Sequence, residues 1–285
     1  MNQSDKGSIF VISSQVVSGL VGLKAAMPAL RALDYETVTL PTTLLAAHPA
    51  AFSATAHALG APPGGPMDPT QMIEIADWLM AAGALDKCVA VLTGYLPSPA
   101  HVDAAARIIA RMKAQNPQIM YCCDPICGDN GALYLPHDVA AGIGDRLLPL
   151  ADMATPNLFE LGHLAERPGL SEDAPMSDLI EAARTLNVAH IAVTSAPAPQ
   201  GRIATLVVGT DILRCETAAA PEAPSGMGDF FAALYLGLTL DANPKALGLA
   251  AGTLADLAAR NTQTATLPHG PVELAAPAIT DKLPG

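Results

Sequence analysis

Short apolar, β-branched runs alternate along this chain with longer runs in which apolar positions recur every three to four residues. The short runs at 9–13, 36–40, 88–93, 119–123, 153–155 and 191–194 read as strands. The longer ones at 22–33, 69–82, 100–115, 138–148, 157–166, 177–186, 229–238 and 244–261 read as helices. Such an order predicts an α/β fold in three layers, a central and mostly parallel sheet flanked by helices on both faces, with any ligand at the carboxyl ends of the strands. Two segments break the rhythm. Residues 46–69 are rich in Ala, Pro and Gly and read as a flap over a site, while 196–201 is a Pro-rich loop joining antiparallel strands at 203–208 and 212–216. No internal repeat is evident, and the tail from about 262 reads as an exposed extension.

Composition narrows the class. With 285 residues, 51% apolar and 15% charged, the chain can bury a large core as a single domain spanning 1–285. Its net charge of -12 argues against nucleic acid as a partner, since binding a polyanion needs massed Lys and Arg. No run approaches the length of a membrane span, and the N-terminus lacks the pattern of a signal peptide. Five cysteines, Cys88, Cys122, Cys123, Cys127 and Cys215, are without zinc or disulfide spacing and read as reduced thiols of a cytoplasmic protein.

The chemistry concentrates in a few segments. In Gly226-Met227-Gly228-Asp229 two glycines open an apolar helix. Backbone N–H groups of Gly226, Met227 and Gly228 can converge there on a phosphoryl charge, beside a carboxylate able to accept a hydroxyl proton. The plainer reading is a helix start with Asp229 as cap. Asp124, in Cys123-Asp124-Pro125-Ile126-Cys127-Gly128-Asp129, ends a strand and can orient Mg²⁺ or simply cap a turn. Asn157 and Glu160 stand three apart at a helix start; Asn157 can hold phosphate and Glu160 a metal-bound water, or the two can form a capping box. Thr194 and Ser195 follow a strand and can touch nucleotide phosphates, and Tyr95, after Thr93-Gly94, can line a pocket.

Taken in order, these segments resemble the ribokinase-like superfamily, and within it the pyridoxal kinases. Gly226-Met227-Gly228-Asp229 is similar to the superfamily's G-x-G-D, residues 123–129 to CDPVMGD, residues 155–160 to TPNxFE, residues 14–22 to SHVxxGxVG, and Val91-Leu92-Thr93-Gly94-Tyr95 to LTGY. The resemblance covers about residues 9–250. It implies a cytoplasmic homodimer that uses Mg²⁺-ATP, with K⁺ as an open second cation, to phosphorylate the 5′-hydroxyl of pyridoxal. It further implies Asp229 as base and Ser14, Val21 and Tyr95 around the ring. Asp124 and Glu160 would serve the metal, Asp124, Asn157, Glu160, Thr194, Ser195 and Gly228 the nucleotide, and Cys123 would lie where a thiol can add to the aldehyde.

Departures from the family pattern fall on the vitamin side. Gln15 replaces a His, Leu23 an Asn, Met227 a Thr, and residues 41–49 have lost most of the polar side chains of the segment QFSNHTGY. Two alternatives follow: a hydroxymethylpyrimidine kinase, against which CDP and TPNxFE speak, and a catalytically silent pyridoxal or pyridoxal phosphate binder, against which Asp229 speaks. A sugar kinase is disfavoured because 41–69 shows little strand pattern for a β-lid.

Overall fold

The computed structural model describes residues 6–49, 60–220, 224–260 and 272–284. Ten strands form one sheet. In chain order they are β1 (Ser8–Ser18), β2 (Glu36–Ala47), β3 (Gly64–Pro66), β4 (Cys88–Thr93), β5 (Met120–Cys123), β8 (Met153–Ala154), β9 (His190–Ala196), β10 (Arg202–Val208), β11 (Ile212–Ala218) and β12 (Thr280–Leu283), while β6 (Gly128–Asp129) and β7 (Ala132–Leu133) make a separate small hairpin. The spatial order is β12-β11-β10-β9-β8-β5-β4-β1-β2-β3, parallel from β2 across to β9 and antiparallel at both edges.

Helices cover both faces. The α-helices are α1 (Leu23–Arg31), α2 (Pro69–Ala81), α3 (Pro99–Gln115), α4 (His137–Gly142), α5 (Leu158–Leu164), α6 (Met176–Thr185), α7 (Met227–Leu240) and α8 (Ala246–Arg260). Alternation along the central strands feeds two cores. Phe10, Ile12, Val91 and Cys123 pack on one side, against residues of α3 and α6, whereas Ile9, Val11, Leu92 and Cys122 pack on the other, against α1, α7 and α8. Local signals set the starts; Asp68 Oδ1 caps α2 by accepting from the N–H of Thr70 at 2.7 Å, with Pro69 preset at the first helical position. Among the described residues no helix is long and apolar enough to cross a membrane.

Three expectations change. The strands at 9–13 and 36–40 run on to Ser18 and Ala47, and Gly64–Pro66 returns antiparallel along Thr43, Leu44 and Leu45. Both arms of the supposed flap are therefore sheet, and residues 50–59 lie outside the described residues. Ala, Pro and Gly carry little strand propensity of their own, so pairing decides the conformation, of β2 with β1 and of β3 with β2. The segment expected as one helix at 138–148 loosens into a π turn over Ile143–Leu147 and tightens into a 3-10 turn over Leu148–Leu150, and Pro149, without an N–H, helps end it. The tail, whose first residues to 271 lie outside the described ones, adds edge strand β12 to β11 and is tied to α8 by the Ala278 N–H on the Gly248 carbonyl at 2.9 Å.

Candidate active site

In the sheet, β1 lies between β2 and β4, so the connections leaving β1 and β2 part to opposite sides and open a crevice at the carboxyl ends. Ser13, Thr93, Gly94, Asp124 and Asp229 line a small pocket there.

Asp229 reaches it from the first turn of α7. The loop before that helix is held by close backbone contacts. Gly226 has φ +89°, and a Cβ on it would stand 2.0 Å from the Leu20 carbonyl oxygen; Gly22 has φ +56°, and a Cβ there would stand 2.1 Å from the Ser14 carbonyl oxygen. Only glycine fits either place. Gly22 turns its N–H to the Asp229 carboxylate, which also accepts its own N–H. These bonds favour the charged form, yet burial outweighs them and lifts Asp229 to about 6. Gly228 is exposed, and a Cβ on it would meet nothing within 4 Å, leaving room beside the free N–H groups of the helix start. Met227 turns its side chain to the core, so what it offers the loop is backbone.

Asp124 follows β5. Its Oδ1 accepts from Thr155 Oγ1 at 3.1 Å, while Oδ2 is buried without a partner. Burial first, then the carboxylates of Glu160 and Asp229, hold it well above the usual carboxylate range. An unpaired oxygen amid acids fits a hydrated cation. Among the described residues no three His, Cys, Asp or Glu side chains converge to hold one unaided.

Asn157 and Glu160 meet at the start of α5. Asn157 Oδ1 accepts the Glu160 N–H at 2.8 Å and Glu160 Oε2 accepts the Asn157 N–H at 2.9 Å, closing a capping box. Glu160 Oε1 also accepts from Cys127 N at 3.0 Å, and Asn157 Nδ2 donates to the Gly128 carbonyl at 2.8 Å. The expected phosphate and metal groups are thus occupied with protein partners. They form a clip that holds the loop after Asp124.

The remaining expectations divide. Tyr95 sits beside the pocket and is half-buried, its N–H donating to Ser13 Oγ at 3.2 Å. Ser14 abuts Gly22, and Val21 is buried with its Cα against Gly226. Thr194 donates its N–H to the Pro156 carbonyl at 2.9 Å, and Ser195 is held in the left-handed region at φ +55°, a strained place for a side-chain-bearing residue. Both mark the carboxyl end of β9. Cys123 is fully buried in the core, and burial pushes its thiol up to about 12. A protonated, enclosed thiol is packing, so the expected addition to an aldehyde loses its basis in this conformation.

Tyr134, after the β6–β7 hairpin, was not among the expected residues. Over half its surface is open (55%), its N–H donates to the Cys127 carbonyl at 3.0 Å, and burial, then the carboxylates of Glu160 and Asp124, holds its phenol above the usual range. An aromatic just beyond the Gly131 turn is the only trace it leaves in the sequence.

Residues 70–242 match the family model described as phosphomethylpyrimidine kinase. The pyridoxine/pyridoxal/pyridoxamine kinase of Bordetella bronchiseptica is 37% identical over 82% of this chain and 82% of its own. The pyridoxal kinase of Deinococcus radiodurans is 32% identical over 81% and 78%. The structure of Leishmania donovani pyridoxal kinase in complex with ADP and pyridoxamine superposes with a TM-score of 0.82 at 26% identity, covering 98% of this chain and all of that one. By sequence and by fold, around an Asp229 loop built from close-packed glycines, the chain belongs to the pyridoxal kinases of the phosphomethylpyrimidine kinase family.

Proposed function

We propose that this chain transfers the γ-phosphoryl group of ATP to the 5′-hydroxyl of pyridoxal, with Asp229 as the base. The observation that carries the reading is the place of Asp229: it lines the pocket at the carboxyl ends of the strands from the first turn of α7, beside the N–H groups of that helix start, and burial lifts its carboxylate to about 6. The hydroxyl loses its proton to Asp229 as its oxygen attacks phosphorus. The N–H groups around Met227 and Gly228 then meet the negative charge on the transferring group. Asp124 would hold Mg²⁺ through Oδ2 or a bound water; the cation, when bound, neutralises phosphate charge. Glu160 and Asn157 act at one remove, by fixing the loop after Asp124. Thr194 and Ser195 would contact the nucleotide, and Ser14, Val21 and Tyr95 the vitamin. The same reading makes the enzyme a cytoplasmic homodimer, in keeping with five buried unpaired cysteines and with Val17 and Leu44 exposed on the β1–β2 extension.

A coupled assay of ADP release with Mg²⁺-ATP tests it against pyridoxal, pyridoxine, pyridoxamine and hydroxymethylpyrimidine. Turnover is expected with pyridoxal. Turnover with hydroxymethylpyrimidine alone would keep the chemistry and replace the substrate; binding without turnover would make the chain a carrier.

A further inference from the structure

The β1–β2 ladder holds one irregularity. Ser13 pairs with Pro41 and Gln15 with Leu44, so two residues of β2, Thr42 and Thr43, stand opposite the single residue Ser14. This is a β-bulge beside the pocket, a device that re-aims side chains. It interrupts the alternation, leaving both Thr42 and Thr43 buried, at 0% and 4% exposure. Thr42 Oγ1 then donates to the Tyr95 carbonyl at 2.7 Å, across 53 residues of chain, while Tyr95 N–H is taken by the buried Ser13 Oγ at 3.2 Å. The peptide group on either side of Tyr95 is thus held from β1 and from β2. Thr42 also accepts, through its own carbonyl, the Met67 N–H at 2.9 Å, and Met67 passes its carbonyl to His101 Nε2 at 2.8 Å.

We infer that Thr42 is a positioning residue for substrate recognition: the bulge turns its hydroxyl onto the Tyr95 backbone and so fixes the wall on which the pyridine ring packs. The inference rests on the reading that Tyr95 lines that ring pocket. It gives a purpose to a segment that has otherwise lost the polar side chains of its relatives' pattern, since Thr42 acts on the vitamin through Tyr95. Deleting the Thr42 hydroxyl removes the donor to this part-buried carbonyl, and a wall displaced by a fraction of an ångström loosens the ground-state complex.

Steady-state kinetics on four full-length variants test this, with pyridoxal and ATP varied separately. Thr42→Val, close in shape but without the hydroxyl, should raise KM for pyridoxal about 5- to 50-fold. Its kcat and its KM for ATP should stay within about twofold of the unmodified enzyme, because Asp229 and the α7 loop are untouched. Thr42→Ser, which keeps the hydroxyl, should restore KM to within about threefold. In a Tyr95→Ala background, itself raised in KM, adding Thr42→Val should change KM no further. Equal loss in Thr42→Val and Thr42→Ser, a fall confined to kcat, or full additivity with Tyr95→Ala would each overturn the positioning role while leaving Tyr95 in the pocket. A pyridoxal KM unmoved by Tyr95→Ala would remove the ring-pocket reading, and this inference with it.

Discussion

Two acidic stretches of this molecule carry the same kind of side chain at the start of a helix and do opposite things. At α5, Glu160 accepts three backbone N–H groups from Asn157, Cys127 and Gly128, and Asn157 answers it. At α7, Asp229 accepts, among the described residues, from Gly22 and its own N–H, and a Cβ on Gly228 would meet nothing within 4 Å. A carboxylate saturated by protein holds a loop in place. Burial raises both carboxyls, Glu160 to about 8 and Asp229 to about 6, but Asp229 is left with lone pairs for a substrate proton. The difference lies in partner count, and residue type does not report it.

The largest effect that sharpens the contrast is on turnover. Asp229→Asn should lower kcat about 10²- to 10⁴-fold in the coupled assay while nucleotide affinity, measured by calorimetry, stays within a few-fold. Next comes the loop that carries the base. Gly226→Ala forces a methyl toward the Leu20 carbonyl and should cost about 10²-fold in kcat by displacing Asp229, read in the same assay. Glu160→Ala should show the reverse profile, losing about 2–4 kcal/mol in urea unfolding as the capping box and the loop clip go together, with a smaller loss of kcat than either change at α7.

Proton linkage gives a second readout at Asp229. Asp229 must be ionised to accept a proton, so kcat/KM should fall about tenfold per pH unit below its value of about 6. A flat profile down to pH 5 would take the base elsewhere. The smallest effect is at Cys123, where Cys123→Ala should cost about 1 kcal/mol of stability and leave kcat within about twofold; a large kinetic loss there would revive the thiol as a participant.

Much of this was legible in the chain. The strand and helix periods gave the three layers, and the glycines around Asp229 announced a loop opening an apolar helix. Glu160 could be read two ways because its deciding partners, Cys127 and Gly128, lie 33 and 32 residues away. The strand character of 41–47 and 64–66 was hidden for a related reason: each takes its conformation from a partner strand, 41–47 from β1 and 64–66 from β2. Tyr134 is invisible for want of any local pattern; its N–H bond to the Cys127 carbonyl exists only once the hairpin after Asp124 has folded.

The most direct test is the thermal and urea unfolding of Asp229→Asn at pH 7. A raised carboxylate pKa means that the folded chain binds the proton more tightly than the unfolded chain, so the fold loses stability as pH climbs from about 4 to about 6 and carries that loss at neutrality. Removing the charge should return about 1–3 kcal/mol, giving a variant that is inactive and more stable than the unmodified enzyme. An inactive variant that unfolds more easily would instead make Asp229 a structural cap like Glu160, and would contradict the account.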